Sequence, residues 1–345
     1  MRFVVLGDAS AYHTHRWVDS LREAGHDVLA LSLEPSVKEG MERIRVVSPP
    51  KLKYLMAIGE VRRRSARFSP HVLFAHFLPN YGLIGSFVHA PLKVLALWGS
   101  DILHWAFKSP IHRAAARRIV RSYDMVLVDA NFVRDILLRE FGYPEDRVEV
   151  IPFGVERRVR EMGMVELPES PLHFVSIRRH EDLFNHGEVM KFLRLVADRY
   201  PVRITYLQTG SRTEELKALA RRLNLNVNFT GILPYSEYLR VLRSAHFCIS
   251  IPDRDASSVS LLECMALGGV PVVSDIPANR EWVGEDGGIV APPKAEALFG
   301  AFTERYDHGW WSEARARNRR LILQRCDWER NLRRFLKRIE DNLGS

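Results

Sequence analysis

The chain has 345 residues, 46% hydrophobic and 27% charged, so it can bury the core of one large domain or two ordinary ones and is neither disordered nor of low complexity. Its net charge of +8 is uneven: residues 1–160 hold 24 Lys+Arg against 17 Asp+Glu, and residues 161–345 hold 26 against 25. No run of about 18 apolar residues occurs, which argues against a membrane span. Cys248, Cys264 and Cys326 stand far apart without a C-x-x-C pair, which argues against a disulfide framework or a cysteine zinc site and suits a reducing, cytoplasmic setting.

In chain order, the opening MRFVVLGDAS reads as a strand and a turn, without the apolar stretch of a signal peptide. Apolar β-type runs are predicted at 3–6, 28–32, 72–75, 94–97, 125–128 and 148–151. Amphipathic helices lie between several of them, for example 17–24, closed by Gly25, and 131–140, closed by Phe141-Gly142. Residues 158–171 show no period and read as a linker. The pattern then restarts, with strands at 173–177, 202–207, 227–229, 247–251 and 270–274 and helices at 188–199, 214–223, 236–243 and 259–267. Arg-rich helices at 311–324 and 327–343 close the chain. Strand–helix alternation of this kind predicts an α/β fold of two doubly wound domains with parallel sheets, ligands at the carboxyl ends of the strands and a cleft between the domains. The boundaries are set at 1–160, 161–325 and a final helix, 326–345, returning to the first domain.

The most informative stretch runs from Asp253 to Ser274: strand end, polar loop, helix, Gly-Gly, strand. Ser257 or Ser258 is placed to cap the helix, leaving the N–H groups of Ser258, Val259 and Ser260 for an anion. Glu263, one turn further on, leans back over the same end and suits a pair of sugar hydroxyls.

Asp255 and Glu263, eight apart and followed by Cys-Met-Ala-x-Gly and Val-Pro-Val-Val, resemble the E-x7-E signature of retaining family-four nucleotide-sugar glycosyltransferases of the GT-B fold (glycosyl transferases group 1), with Asp in the first Glu position. Gly25-His-Asp-Val, Gly99-Ser-Asp-Ile, Val150-Ile-Pro-Phe-Gly-Val and Pro277-Ala-Asn-Arg-Glu-Trp extend the resemblance over nearly the whole chain. It implies that Glu263 holds the nucleotide ribose and that Asp255 lies near the donor sugar. The backbone between them, with Ser257, Ser258 and Val259, then binds the diphosphate. Arg178, in Ser-Ile-Arg-Arg-His, matches the Arg that neutralises the leaving group. The Lys usual five residues later is Leu183 here, so Arg179 or His186 is expected to supply the second positive charge. Asn185, Gly210 and Gly7 complete the expected donor set.

The first domain is implied to bind the acceptor. The loop Gly7-Asp8-Ala-Ser-Ala-Tyr-His13-Thr-His15 is not G-x-G-x-x-G, which removes the main support for a nicotinamide site. Asp8, His15, His76, Asn80 and Trp98 are the candidate acceptor residues. Trp98 stands where many relatives carry His; it cannot transfer a proton but can stack on a sugar ring. Asp101 and His13 join Asp255 and Arg178 as catalytic candidates, although front-face chemistry, in which the leaving phosphate takes the acceptor proton, needs no protein base. Asp253-Arg-Asp255 is literally D-x-D, yet the resemblance implies no metal and no other cofactor. The expected partners are a nucleotide-sugar donor and a sugar or lipid-linked acceptor, with no nucleic acid. Residues 51–67, with six cations among apolar groups, and Arg113, Arg117, Arg118 and Arg121 suggest an anionic membrane surface as a further partner. An epimerase of the same fold and a non-catalytic basic binding protein are the alternatives.

Overall fold

The computed structural model describes residues 1–47, 49, 52–306 and 310–344; Lys51 of the basic stretch lies outside them. The chain divides into two units, Met1–Pro152 with Glu329–Ser345, and Phe153–Trp328.

The first unit is built on β1 (Arg2–Leu6), β2 (Asp27–Ser32), β3 (Glu42–Arg43), β4 (Val72–His76), β5 (Leu92–Ala96), β6 (Met125–Val128) and β7 (Val148–Val150). All pair in parallel, in the order β3-β2-β1-β4-β5-β6-β7. Every residue of β4 and β6 is buried, because helices cover both sheet faces; this is why those strands read as unbroken apolar runs. The last helix, Trp328–Leu343, buries Asn331, Phe335 and Ile339 at four-residue spacing. Phe335 packs its ring 4.9 Å from Trp17 and 5.1 Å from Phe74, and Asn331 donates to the Pro152 carbonyl at 2.9 Å. The chain's end thereby becomes part of the first unit.

The second unit carries β8 (Leu172–Ser176), β9 (Val202–Leu207), β10 (Val227–Gly231), β11 (Phe247–Ser250), β12 (Val270–Ser274) and β13 (Ile289–Ala291), again all parallel, in the order β10-β9-β8-β11-β12-β13. Phe174 and Phe247, on neighbouring strands, stack at 4.9 Å in its core. The helix Val259–Leu267 is buried continuously from Leu261 to Leu267, between the sheet and the helices Arg157–Met162 and Trp311–Arg325. Its end is set by Gly268, whose φ of 93° suits glycine.

Three expectations are corrected. Residues 158–171 are not all linker, since Arg157–Met162 is helical; it shows no apolar period because Val159 is its one buried residue. β3 and β13 escaped notice because two or three residues are too few to show alternation. Cys248 and Cys264 form a disulfide, because a helix that follows a parallel strand runs back over it and brings residues 16 apart in sequence together. A Cβ at Gly269 would lie 2.2 Å from one of these sulfurs and 2.8 Å from the other, which accounts for the second glycine of the pair. Among the described residues no helix is long and apolar enough to cross a membrane.

Candidate functional site

In the second unit the candidate residues gather where β8 and β11 end. The Arg178 guanidinium lies 4.4 Å from the ring centre of Phe184, pairs with Asp255 at 2.9 Å and donates to the Ser258 hydroxyl. Ser258 is the helix cap, accepting from the Leu261 amide at 3.4 Å. Ser257 instead accepts from the Trp282 indole at 3.0 Å. Asp255 also accepts from the Ala256 amide at 2.9 Å. The loop is held from outside by Asn185, whose side-chain amide donates to the Ile251 carbonyl at 3.0 Å and to Asp253 at 2.7 Å. Asp253 and Asp255 thus face different partners, Asn185 and Arg178. Among the described residues no group of three or more His, Cys, Asp or Glu is placed to hold a metal.

Glu263 is 6% exposed, and its two oxygens accept from Tyr235 at 2.5 Å and Tyr238 at 2.9 Å. Burial, then the nearby carboxylate, drives the Tyr238 hydroxyl well above its ordinary pKa, so it remains a donor. The sequence reading missed both tyrosines. Their signal was the i,i+3 pair after Pro234 on an amphipathic helix, Tyr235–Arg243.

His186 does not supply a second charge. Its Nε2 lies 2.8 Å from the Arg179 carbonyl, which can only accept, so Nε2 carries the proton; burial lowers the ring's pKa to about 4. Arg179 is exposed, 3.9 Å from Glu181, and Arg254, in the loop itself, is a second exposed cation. Gly210 serves packing: its amide donates to Thr213 at 2.9 Å, and a Cβ there would sit 2.4 Å from the His180 carbonyl oxygen.

In the first unit the candidates lie past the ends of β1, β4 and β5. Gly7 allows the loop to touch the following helix, since a Cβ would lie 2.5 Å from Thr14. Asp8 forms its own turn, accepting from the Ser10 amide at 2.8 Å and hydroxyl at 2.7 Å. His15 is buried against the Ala9 carbonyl at 2.8 Å and holds the loop rather than facing solvent. His13, His76 and Trp98 form a ring cluster, with Trp98 5.1 Å from His13 and 5.5 Å from His76. Phe77, 5.5 Å from His13, has a φ of 69°, a strained value for an aromatic residue. Burial lowers His13 to about 4 and His76 well below its ordinary value, so both rings are neutral near pH 7.

Asp101 is not placed for proton transfer. It is 3% exposed and accepts from the backbone amides of Leu78 (3.1 Å), Trp98 (3.2 Å) and Ile102 (3.0 Å), so it ties the ends of β4 and β5 together. Burial raises its pKa to about 6, against the lowering by those amides. Asn80 donates to the Tyr54 hydroxyl at 3.2 Å, at the edge of a cluster centred on Glu34 that the sequence did not reveal. Glu34 is paired with Lys53 at 2.7 Å and accepts from Tyr54 at 2.6 Å and from Tyr81. Burial raises its carboxyl, but those hydrogen bonds prevail and hold it below its usual range.

Residues 2–130 match a family model described as glycosyl transferase 4-like, and residues 182–308 match one described as glycosyl transferases group 1. A protein described as a colanic acid biosynthesis glycosyltransferase, WcaL of Salmonella typhimurium, is 27% identical over 201 residues, 54% of this chain and 49% of that protein. The match therefore spans about half of that curated relative. A glycosyltransferase from Rickettsia africae superposes with a TM-score of 0.82 at 16% identity, over 99% of this chain and 98% of that one. Alr3699/HepE of Anabaena, solved in complex with UDP-glucose, gives 0.79 at 13% identity, over 99% and 100%. The lipopolysaccharide outer core galactosyltransferase WaaB gives 0.71 at 14%, over 96% and 98%. These structural likenesses establish the fold as GT-B.

Proposed function

We propose that this chain, which belongs to the glycosyl transferases of group 1 with a 4-like first half, moves a sugar from a nucleotide-sugar donor to an acceptor hydroxyl with retention of the anomeric configuration. The observation that carries this reading is the convergence of Arg178, Asp255 and Ser258 at the start of a nine-residue helix whose next turn presents Glu263.

The diphosphate lies against the first N–H groups of that helix, which have no partner within it, and against Arg178. Glu263, oriented by its two tyrosines, takes the ribose hydroxyls, and Asp255 lies beside the sugar. As the glycosidic bond to phosphate breaks, the acceptor oxygen attacks the same face of the anomeric carbon and its proton passes to the departing phosphate. The neutral His13 and the amide-bound Asp101 support this step without a protein base. Helix N–H groups and arginine supply the positive charge, and Arg179 or Arg254 adds a second cation, so the proposed reaction needs no metal. The acceptor is proposed to be a glycan or lipid-linked sugar at the Trp98 cluster, in keeping with the name of the Salmonella relative. Exposed Leu55, Met56 and Ile111, beside the cations of the helices Lys53–Phe68 and Pro110–Val120, support a peripheral place on anionic membrane.

The test is a thermal-shift screen of UDP-, GDP- and ADP-sugars, since a ligand at about 100 times its Kd stabilises by roughly 2.7 kcal/mol. Turnover of the sugar that binds is then followed with and without EDTA, and the anomeric configuration of the product is read by NMR. A donor that binds but is never transferred to any hydroxyl, or a product of inverted configuration, overturns the reading.

A further inference from the structure

A cavity of about 770 Å3 opens in the first unit at the edge of the sheet opposite Gly7, His76 and Trp98. Its lining includes Arg2, the first residue of β1, and His71 and Pro91, which immediately precede β4 and β5. Ligands of doubly wound sheets sit at the carboxyl ends of the strands, so a cavity at their amino ends lies outside the acceptor region. The helix Lys53–Phe68 adds Arg62 and, one turn on, Ser65.

The chemistry of this lining is one-sided: no Asp or Glu belongs to it. Arg62 has no hydrogen bond or ion pair among the described residues. Arg2 uses its Nε on the Ser69 carbonyl at 2.7 Å and keeps its two terminal nitrogens. His71 accepts the Arg2 amide on Nδ1 at 2.9 Å, so its proton sits on Nε2 and the ring presents a donor. Ser65 is 1% exposed and its hydroxyl has no partner. A serine within a helix ordinarily bonds back to a carbonyl one turn earlier, and buried hydroxyls are ordinarily satisfied. A buried unpartnered hydroxyl, two guanidinium groups and an imidazole N–H thus share one lining with no carboxylate to neutralise them.

We propose that this cavity is an anion site that takes a phosphate group, held by Arg62 and Arg2, whose planar donor pairs suit phosphate oxygens, and by Ser65 and His71. Phe87, 51% exposed at the lining, leaves room for an apolar portion on the ligand. The same phosphate chemistry is offered by a phospholipid headgroup at a bilayer and by a soluble phosphate.

The experiment uses the full chain with UDP in excess to occupy the donor end. Binding is measured to inorganic phosphate by calorimetry, and to phosphatidylglycerol and phosphatidylcholine vesicles by co-sedimentation. Arg62→Ser and Ser65→Ala are compared with Arg147→Ser, which removes an exposed cation elsewhere in the unit. The expected result is saturable binding that Arg62→Ser weakens at least tenfold, that Ser65→Ala also weakens, and that Arg147→Ser leaves unchanged, with UDP affinity the same in all variants. Phosphate-competed binding of anionic vesicles identifies a headgroup ligand, and phosphate binding without vesicle binding identifies a soluble one. No binding of either, or equal weakening by Arg62→Ser and Arg147→Ser, overturns the proposal, while the UDP readout reports separately on the donor site.

Discussion

Arg178 and Asp255 form a 2.9 Å ion pair whose halves follow the ends of neighbouring strands, β8 and β11. Both side chains are largely buried, and the same guanidinium also holds the helix cap Ser258. On the proposed reading, an arriving diphosphate meets a cation already oriented by Asp255. Arg178→Ala should weaken UDP binding about 10- to 100-fold, as expected for losing charge-assisted hydrogen bonds of about 1.5–3 kcal/mol. Arg178→Lys should restore only part of this, because an ammonium cannot bridge Asp255 and Ser258 while stacking on Phe184. Calorimetry with UDP decides; unchanged affinity removes Arg178 from the donor site.

The tyrosine pair on Glu263 predicts a selective loss. Tyr235→Phe with Tyr238→Phe should lower UDP affinity roughly tenfold, at about 1.4 kcal/mol, by freeing the carboxylate to turn. Pyrophosphate, which has no ribose, should bind the double variant as it binds the wild type. Equal losses for both ligands would assign the tyrosines to folding instead.

Gly210→Ala should destabilise the second unit without altering any charge. The added methyl meets the His180 carbonyl, which is backbone and cannot swing aside. Overpacking of this kind costs on the order of 1–3 kcal/mol. A denaturant titration should show an earlier midpoint, and an unchanged midpoint would mean that the loop yields freely.

Stability should fall as the pH drops below neutrality. Burial holds His13, His173 and His186 near 4 and lowers His76 well below its ordinary value, whereas the same rings in the unfolded chain titrate near 6.5. Between about 6.5 and 4 the unfolded chain binds more protons, so each histidine removes about 1.4 kcal/mol per pH unit. Asp101 acts oppositely: its folded pKa of about 6 lies above the unfolded 3.8, so it adds stability as the pH falls between those values and offsets one histidine. Urea midpoints at pH 7, 5.5 and 4.5 should decline in order, and a flat profile would contradict neutral burial of these rings.

The sequence by itself determined the elements whose local pattern and tertiary role agree. The apolar runs at 72–75 and 125–128 become fully buried strands because both faces of a parallel sheet are covered. The helix at 259–267 has its predicted bounds because a serine cap and a glycine stop are local signals. The family resemblance assigned Arg178 and the Asp255 loop to one donor site, and the sheet order that makes β8 and β11 neighbours brings them together. Tertiary structure alone decided the charge states and the partners. His186 is neutral because the fold buries it, Asp101 holds backbone because three amides surround it, and Glu263 is fixed by tyrosines from another helix. Cys248 and Cys264 meet because the helix returns over its strand. The cavity between Arg2, Arg62 and Ser65 draws on segments about 60 residues apart, and no motif spans that distance. Residue type and spacing encode backbone preference over a few neighbours, whereas burial and hydrogen-bond partners depend on which distant segments the sheet order brings together.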